Sequence, residues 1–462
     1  MATTRVKVRS TRRRSRLAVW WWELRYRIGP NLWEIPFAMA IGTIAVFAVT
    51  RHFDTRVAGG VTSAPSLLPE WILARNAADV DVVLSAMLSA LATTLALVFS
   101  ISVLTFSMAA SQLGPRLIRR FVLDPVTQVT LGAFLASIVM CALTLGSVST
   151  ATRDVPEVSY AVAFLMSLGC FFLLIVYVHR VAVTIQSPRV VASVVADLER
   201  TITESSRYLP DVVRCADPVL VAAAIDEARR DGGVLVAERS GYLQAVDHLR
   251  LLDAAEEQDV VVVLEHRVGQ FVVRGQPLVR VLPPERGDRI RRAMHEACEI
   301  GDARTREQDV EFALNQVVEI ALRALSPAIN DSFTGRTCVD WLGESLSRMG
   351  AVDDPTGGLL GSRHELRLVE PPLRFERQLR NAYDPIRQAA AGNPVVLLRM
   401  FSVLELLATA VLPSNVSAVG AYARVLRESA QAASLVALDV ADVEDRHDRV
   451  LAAVEARVHG GA

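Results

Sequence analysis

The chain has 462 residues, 52% of them apolar, and a positive mean hydropathy, so it is long enough for two or three folded units. Basic and acidic residues nearly cancel, 49 against 50, so no nucleic acid or other global electrostatic partner is implied. Almost every basic residue is arginine and Lys7 is the single lysine, which excludes a P-loop, Schiff-base, lipoyl or biotinyl lysine beyond the N-terminal tail.

The first 32 residues form a basic, tryptophan-rich tail. Its stretch "WWWELRYRIGPNLW" sets tryptophans beside arginines, the pattern of an interfacial helix whose rings sit at headgroup level. A secretory leader would also begin with basic residues and an apolar run, but no small-residue cleavage site follows. Residues 33–187 read as a transmembrane domain with spans near 33–50, 82–110, 126–146 and 158–178, each long and apolar enough for a bilayer. Arginines cluster before the first span, at Arg116, Arg119 and Arg120 after the second, and from Arg180 to Arg189 after the fourth. That asymmetry orients both termini toward the cytoplasm of a bacterial inner membrane. No acidic or basic residue lies in the interior of a span, which argues against a proton-coupled transporter.

The second span is long, about 43 Å against a hydrocarbon core of roughly 30 Å. It also carries Ser85, Ser89, Thr93, Ser100, Ser107 and Ser111 at spacings of three, four or seven residues, with Ala96 and Val103 in the gaps. Small residues along one face serve either close helix packing or the wall of a hydrated path, and a homo-oligomer would use both.

Residues 188–232 form an amphipathic helical connector, 233–282 a small β-rich module, and 283–462 a cytoplasmic helical domain. In the β module "GVLVAERSGYLQAVD" alternates apolar residues around a turn, and "DVVVVLEHRVGQFVVRGQPLVRVLP" reads as two strands punctuated by Gly269 and Gly275. The limbs "SGYLQAVD" and "VGQFVVRGQPLVRV" resemble the half-motifs of barrel-sandwich hybrid domains, which implies a compact β fold. The swinging-arm lysine is absent, so no carrier role follows. The five cysteines form no Cys-x-x-Cys pair, hence neither a disulfide framework nor a zinc site is indicated. In "MHEAC" His295 and Cys298 share a helix face, but two ligands fall short of a metal site.

After Pro283 and Pro284 the pattern is helical. In "QDVEFALNQVVEIALRALSPAINDSFTG" the residues Val310, Leu314, Val317 and Ala321 form a buried stripe, and Glu311, Asn315, Glu319 and Arg323 a polar one at i+4 spacing. Pro327 ends this helix, and Asp331 or Ser332 caps the next. Arg323, Ser326, Asn330 and Asp331 therefore make a helix corner or a ligand site. No histidine or lysine stands near Ser326 and Asp331 in sequence, so nothing points to catalysis, and no cofactor is implied.

Together, the four spans, "SQLGPRLIRRFVLDPVTQVTLGAF", "GYLQAVD", "GQFVVRGQPL" and "REQDVEFALNQVVEIALRALSPAINDSFTGRTCVDWL" resemble a bacterial predicted-membrane-protein family, domain of unknown function 2254. Ser332 departs from it where a proline is expected after the Asn-Asp pair. The resemblance implies an architecture and transfers no activity. The expected fold is a four-helix membrane domain joined to a cytoplasmic α+β domain. The expected function is a non-enzymatic homo-oligomeric pore or ion path in the lipid bilayer. The alternative is a membrane-anchored scaffold or sensor for a cytoplasmic protein or small ligand.

Overall fold

The computed structural model of the protein describes residues 32–58, 77–113, 124–148, 156–184, 187–207, 213–306 and 308–459. The basic tail with its expected interfacial helix and the arginine loop after the second span lie outside them. Two compact units divide between Ile185 and Gln186.

The first unit consists of α1 (Glu34–Ala58), α2 (Ala77–Leu113), α3 (Pro125–Ser147) and α4 (Glu157–Thr184). All four are long and apolar enough to cross a membrane. Helix α3 is central, with α1, α2 and α4 packed on it. It starts sharply because Asp124 accepts from the Thr127 backbone N–H at 3.0 Å and Pro125 follows at the first helical position. Gly132 lets α1 close on α3: a Cβ there would stand 2.5 Å from Met39 Sδ and 3.2 Å from Pro36 Cα. Small polar pairs join the buried faces, Ser137 with Cys170 at 3.2 Å and Ser102 with Tyr177 at 2.7 Å, as expected where hydrocarbon offers no other partner. Large apolar residues such as Phe37, Ile41, Phe172 and Ile175 point outward.

Helix α1 runs on past residue 50 to Ala58 and buries Asp54. By sequence Asp54 stands beyond the first apolar span, in a loop. Its carboxylate instead accepts from the Val158 N–H at 2.7 Å, from the Ser159 N–H at 3.3 Å and from the Ser159 hydroxyl. It thus caps α4 from another helix, meeting donors that have no partner within α4 itself. Asp54→Ala should lower stability by about 1–3 kcal/mol, because buried donors are left unmet, and Asp54→Asn by less. Thermal unfolding of the detergent-solubilised chain measures the difference, and equal midpoints for wild type and Asp54→Ala would remove the capping role.

The second unit begins with α5 (Ser187–Arg207) and α6 (Pro218–Asp231). There follow β1 (Gly233–Val236), β2 (Gly241–Val246), α7 (His248–Gln258), β3 (Val261–Leu264), β4 (Phe271–Val272), β5 (Pro277–Leu282), α8 (Gly287–Ala297) and β6 (Cys298–Gly301). The chain continues through α9 (Val310–Ala324), α10 (Ser332–Gly350), β7 (Gly358–Leu360), β8 (Leu366–Val369), α11 (Phe375–Ala389), α12 (Pro394–Ala410), α13 (Pro413–Gln431) and α14 (Ala437–His459).

The strands make a five-stranded sheet, β1-β5-β3-β8-β7, and a three-stranded one, β4-β2-β6. The centre of the five-stranded sheet is buried on both faces, which explains the unbroken valines of β3. Val262 and Leu264 enter one core with Leu251 and Ala255 of α7 and Ile290 and Met294 of α8. Val261 and Val263 enter the other, with Val221 and Ala228 of α6. The β structure is thus not confined to 233–282, since β6, β7 and β8 complete the sheets. The "VGQFVVRGQPLVRV" limb divides between them, β4 in one and β5 in the other.

Among the helices α9 is central, contacted by α5, α10 and α11. Its Val310, Leu314, Val317 and Ala321 are buried as the periodicity requires. Helix α12 packs on α10 and α14. The Tyr383 hydroxyl of α11 donates to the Val339 carbonyl of α10 at 3.0 Å.

Candidate functional site

Three of the segments that carried the resemblance, those holding Gln244, Gly269 and Asp309, meet at one polar junction at the start of α9. Asp309 is its N-cap, accepting from the Phe312 N–H at 2.9 Å, and is only 2% exposed. Arg304 grips the same carboxylate with two nitrogens, at 2.7 and 2.8 Å, and its guanidinium lies 5.4 Å from the centre of the Phe312 ring. The bidentate fork and the cap compensate a carboxylate that would otherwise be costly to bury. Gln308 behaves as a strand neighbour to β2: its Oε1 accepts from the Val246 N–H at 3.0 Å, and its Nε2 donates to the Val246 carbonyl at 3.1 Å. Gln244 Nε2 donates to the Ala303 carbonyl at 2.6 Å. Gly269, with φ of +90°, brings the β3–β4 loop against Asp309.

In the first turn of α9, Glu311 is a hub. Its Oε1 accepts from Arg267 Nη2 at 3.0 Å, Asn381 Nδ2 at 3.0 Å, Arg377 Nε at 3.2 Å and Gln378 Nε2 at 3.3 Å. Burial alone would push this carboxyl up, but the charges of Arg267 and Arg377 and the donors around it outweigh burial and hold it below the usual carboxylate range. The i+4 pattern by itself puts Glu311 on a polar stripe opposite the buried one. The structure corrects this, because Glu311 ties α9 to α11 and to the β3–β4 loop. Asn315, Glu319 and Arg323 are half-buried rather than open. The hub's partners lie 44 to 70 residues away in sequence, and the only local signal is the Asp309 cap that places Glu311 in the first turn.

The corner after α9 uses its polar groups internally. The Ser326 hydroxyl donates to the Arg323 carbonyl at 2.7 Å, and the Asn330 N–H donates to the Ser326 carbonyl at 2.8 Å. Asn330 takes a left-handed φ of +49°, which asparagine tolerates better than most residues. Asp331 caps α10, accepting from the Thr334 N–H at 3.0 Å and its hydroxyl at 2.6 Å. Burial pushes the Asp331 carboxyl up, and these bonds outweigh it and leave it below the ordinary value. Arg323, Ser326, Asn330 and Asp331 are therefore neighbours by local turn geometry, while Ile329 and Phe333 stand exposed.

On α2, Ser89, Thr93, Ser100 and Ser107 are exposed and Ser85 is half-buried; the side chain of Ser111 lies outside those described. The buried face of the helix carries Val80, Leu84, Leu91, Val98, Ser102 and Thr105. At about 100° per residue the two sets centre roughly 180° apart. The small-residue stripe thus points away from the other three helices. The Ser89 and Thr93 hydroxyls donate back to the helix, to Ser85 and Ser89 carbonyls at 2.9 and 2.8 Å.

A cavity of about 410 Å³ opens among Glu238, Arg239, Leu278, His295, Glu296, Cys298 and Glu299. Its ionic groups largely satisfy one another: His295 Nε2 lies 3.2 Å from Glu238, Glu296 pairs with Arg250 and Arg292, and Arg239 reaches Asp302 at 3.5 Å. Cys298 begins β6 instead of sharing a helix face with His295. Burial pushes its thiol up to about 12, which keeps it protonated at neutral pH and a poor nucleophile. Among the described residues no three His, Cys, Asp or Glu side chains converge as a metal site.

The family described as predicted membrane protein, DUF2254, matches residues 30–406. Uncharacterized protein Rv1290c of Mycobacterium tuberculosis is 28% identical over 389 residues, covering 82% of this chain and 71% of the relative. Uncharacterized protein Mb1321c of Mycobacterium bovis has the same identity and coverage. No solved structure matches the chain. The family match runs from just before α1 into α12 and takes in every segment of the junction around Asp309 and Glu311, and the chain belongs to the DUF2254 family of predicted membrane proteins.

Proposed function

We propose that this membrane protein assembles through the outward stripe of α2 into a homo-oligomer enclosing an ion path, with the second unit as a cytoplasmic regulatory domain in a bacterial inner membrane. The role is non-enzymatic. The observation that carries the reading is the direction of the stripe. Among the described residues Ser89, Thr93, Ser100 and Ser107 pack against no other helix face, and their side of α2 is opposite the buried one. Small residues permit close approach of a second copy. Hydroxyls whose protons are tied to the helix, as at Ser89 and Thr93, keep outward oxygen lone pairs, a wall that favours cations.

Cysteine cross-linking in native membranes tests the assembly. Ser100→Cys and Ser107→Cys should give oligomer bands with a short bismaleimide, and Val98→Cys, on the buried face, should not. Monomer bands throughout would overturn assembly through this face. Purified protein in planar bilayers should then conduct, and silence across voltage and tension would remove the pore. A reporter fused to the C-terminus should be active only on the cytoplasmic side.

A further inference from the structure

Helix α11 gathers guanidiniums on one side. Arg374, Arg377, Arg380 and Asn381, with Glu376 and Asp384, line a cavity of about 350 Å³, and at about 100° per residue all six fall within a continuous arc of the helix. Protein acceptors do not use up these donors. Among the described residues the Arg374 guanidinium forms no hydrogen bond or ion pair, and Arg380 reaches Asp384 only at 3.5 Å. Asp384 is already shared with Arg387 at 3.4 Å and the Tyr422 hydroxyl at 3.2 Å.

The wall behind the cavity is crowded in the same sense. Arg377 and Asn381 also donate to Glu311 Oε1, which takes Arg267 and Gln378 as well. A carboxylate has about four acceptor positions over both oxygens, and here four donors converge on one oxygen. Among the described residues Arg267, with a side chain 10% exposed, keeps Nη1 buried without a partner, and Gln378 Oε1 is buried and unpartnered beside the same hub. Counting Arg267, Arg374, Arg377, Arg380 and Arg387 against Glu311, Glu376 and Asp384, guanidiniums exceed carboxylates. Planar forks in excess suit a phosphate, whose oxygens accept paired N–H bonds.

We propose that the α11 cavity is a binding site for a phosphate-bearing ligand, held by Arg374, Arg377, Arg380 and Asn381. Two sources share that chemistry, a soluble phosphate compound and a phospholipid headgroup. The site does not rest on the pore reading, and its test needs no conductance.

Calorimetric titration of the full-length protein in neutral detergent, at fixed low ionic strength, uses inorganic phosphate, ADP and water-soluble dihexanoyl phosphatidylglycerol in separate arms. At least one should bind saturably. Binding should weaken about tenfold or more in Arg374→Ala/Arg380→Ala, whose side chains are exposed and outside the hub. Glu376→Gln, which removes a rim carboxylate, should tighten it. Binding confined to phosphate and ADP assigns a soluble ligand; binding confined to the lipid assigns a headgroup. No saturation in any arm, or equal binding by the double variant, overturns the proposal. An unchanged unfolding midpoint shows that the double variant is folded.

Discussion

Glu311→Ala is expected to destabilise the protein by about 3–5 kcal/mol, the usual cost of removing one partner from a buried ion pair. Arg267 and Glu311 have side chains 10% and 14% exposed, so the guanidinium cannot recover its hydration without opening the contact between the β3–β4 loop and α11. Arg377 is 56% exposed and loses little. Glu311→Gln keeps an acceptor and should fall between wild type and alanine. Urea unfolding of the full chain in detergent measures all three, and an alanine variant with the wild-type midpoint would show that the hub is incidental. The acid limb provides a second readout. The folded carboxyl is held below the usual range, so its stabilisation is complete above the unfolded value of about 4.3 and is lost as pH falls through the lower folded value. Glu311→Gln should remove that part of the acid dependence.

Gly269→Ala is expected to cost about 3 kcal/mol or more, from backbone strain combined with displacement of a buried capped carboxylate. A Cβ at Gly269 would lie 2.0 Å from Asp309 Oδ2, 2.5 Å from its Cγ and 2.8 Å from Arg304 Nη2. The φ of +90° adds strain of its own. Asp309 cannot retreat without releasing both the α9 cap and the Arg304 fork. Gly275→Ala is the matched control: its φ is +85°, but nothing lies within 4 Å of the added Cβ, so only the strain, about 1–2 kcal/mol, should appear. Equal midpoints for the two variants would mean that the contact with Asp309 is unimportant.

Both predictions concern residues whose role the sequence disguises. Gly269 reads as turn punctuation, and Glu311 reads as one position on an exposed i+4 stripe. Each acquires its role from groups distant in sequence, Gly269 from Asp309 and Glu311 from Arg267 and α11. The cap residues are different. Asp331 and the buried stripe Val310, Leu314, Val317 and Ala321 were legible, because capping and helical periodicity are properties of a few consecutive residues. Asp54 shows the boundary between the two cases. It stands just beyond the apolar run, where sequence suggests a loop, and is buried because α4 begins beside it with unmet N–H groups.

By itself the sequence determined the four apolar helices, a mixed second unit, the stop after α9 and the cap of α10, since length, hydropathy and turn chemistry act locally. The tertiary structure alone decided which side of α2 faces its neighbours, how β6, β7 and β8 complete the sheets, and which cations surround Glu311. Those outcomes depend on pairings across tens to more than a hundred residues, and no short window of sequence records which surfaces meet when the chain closes.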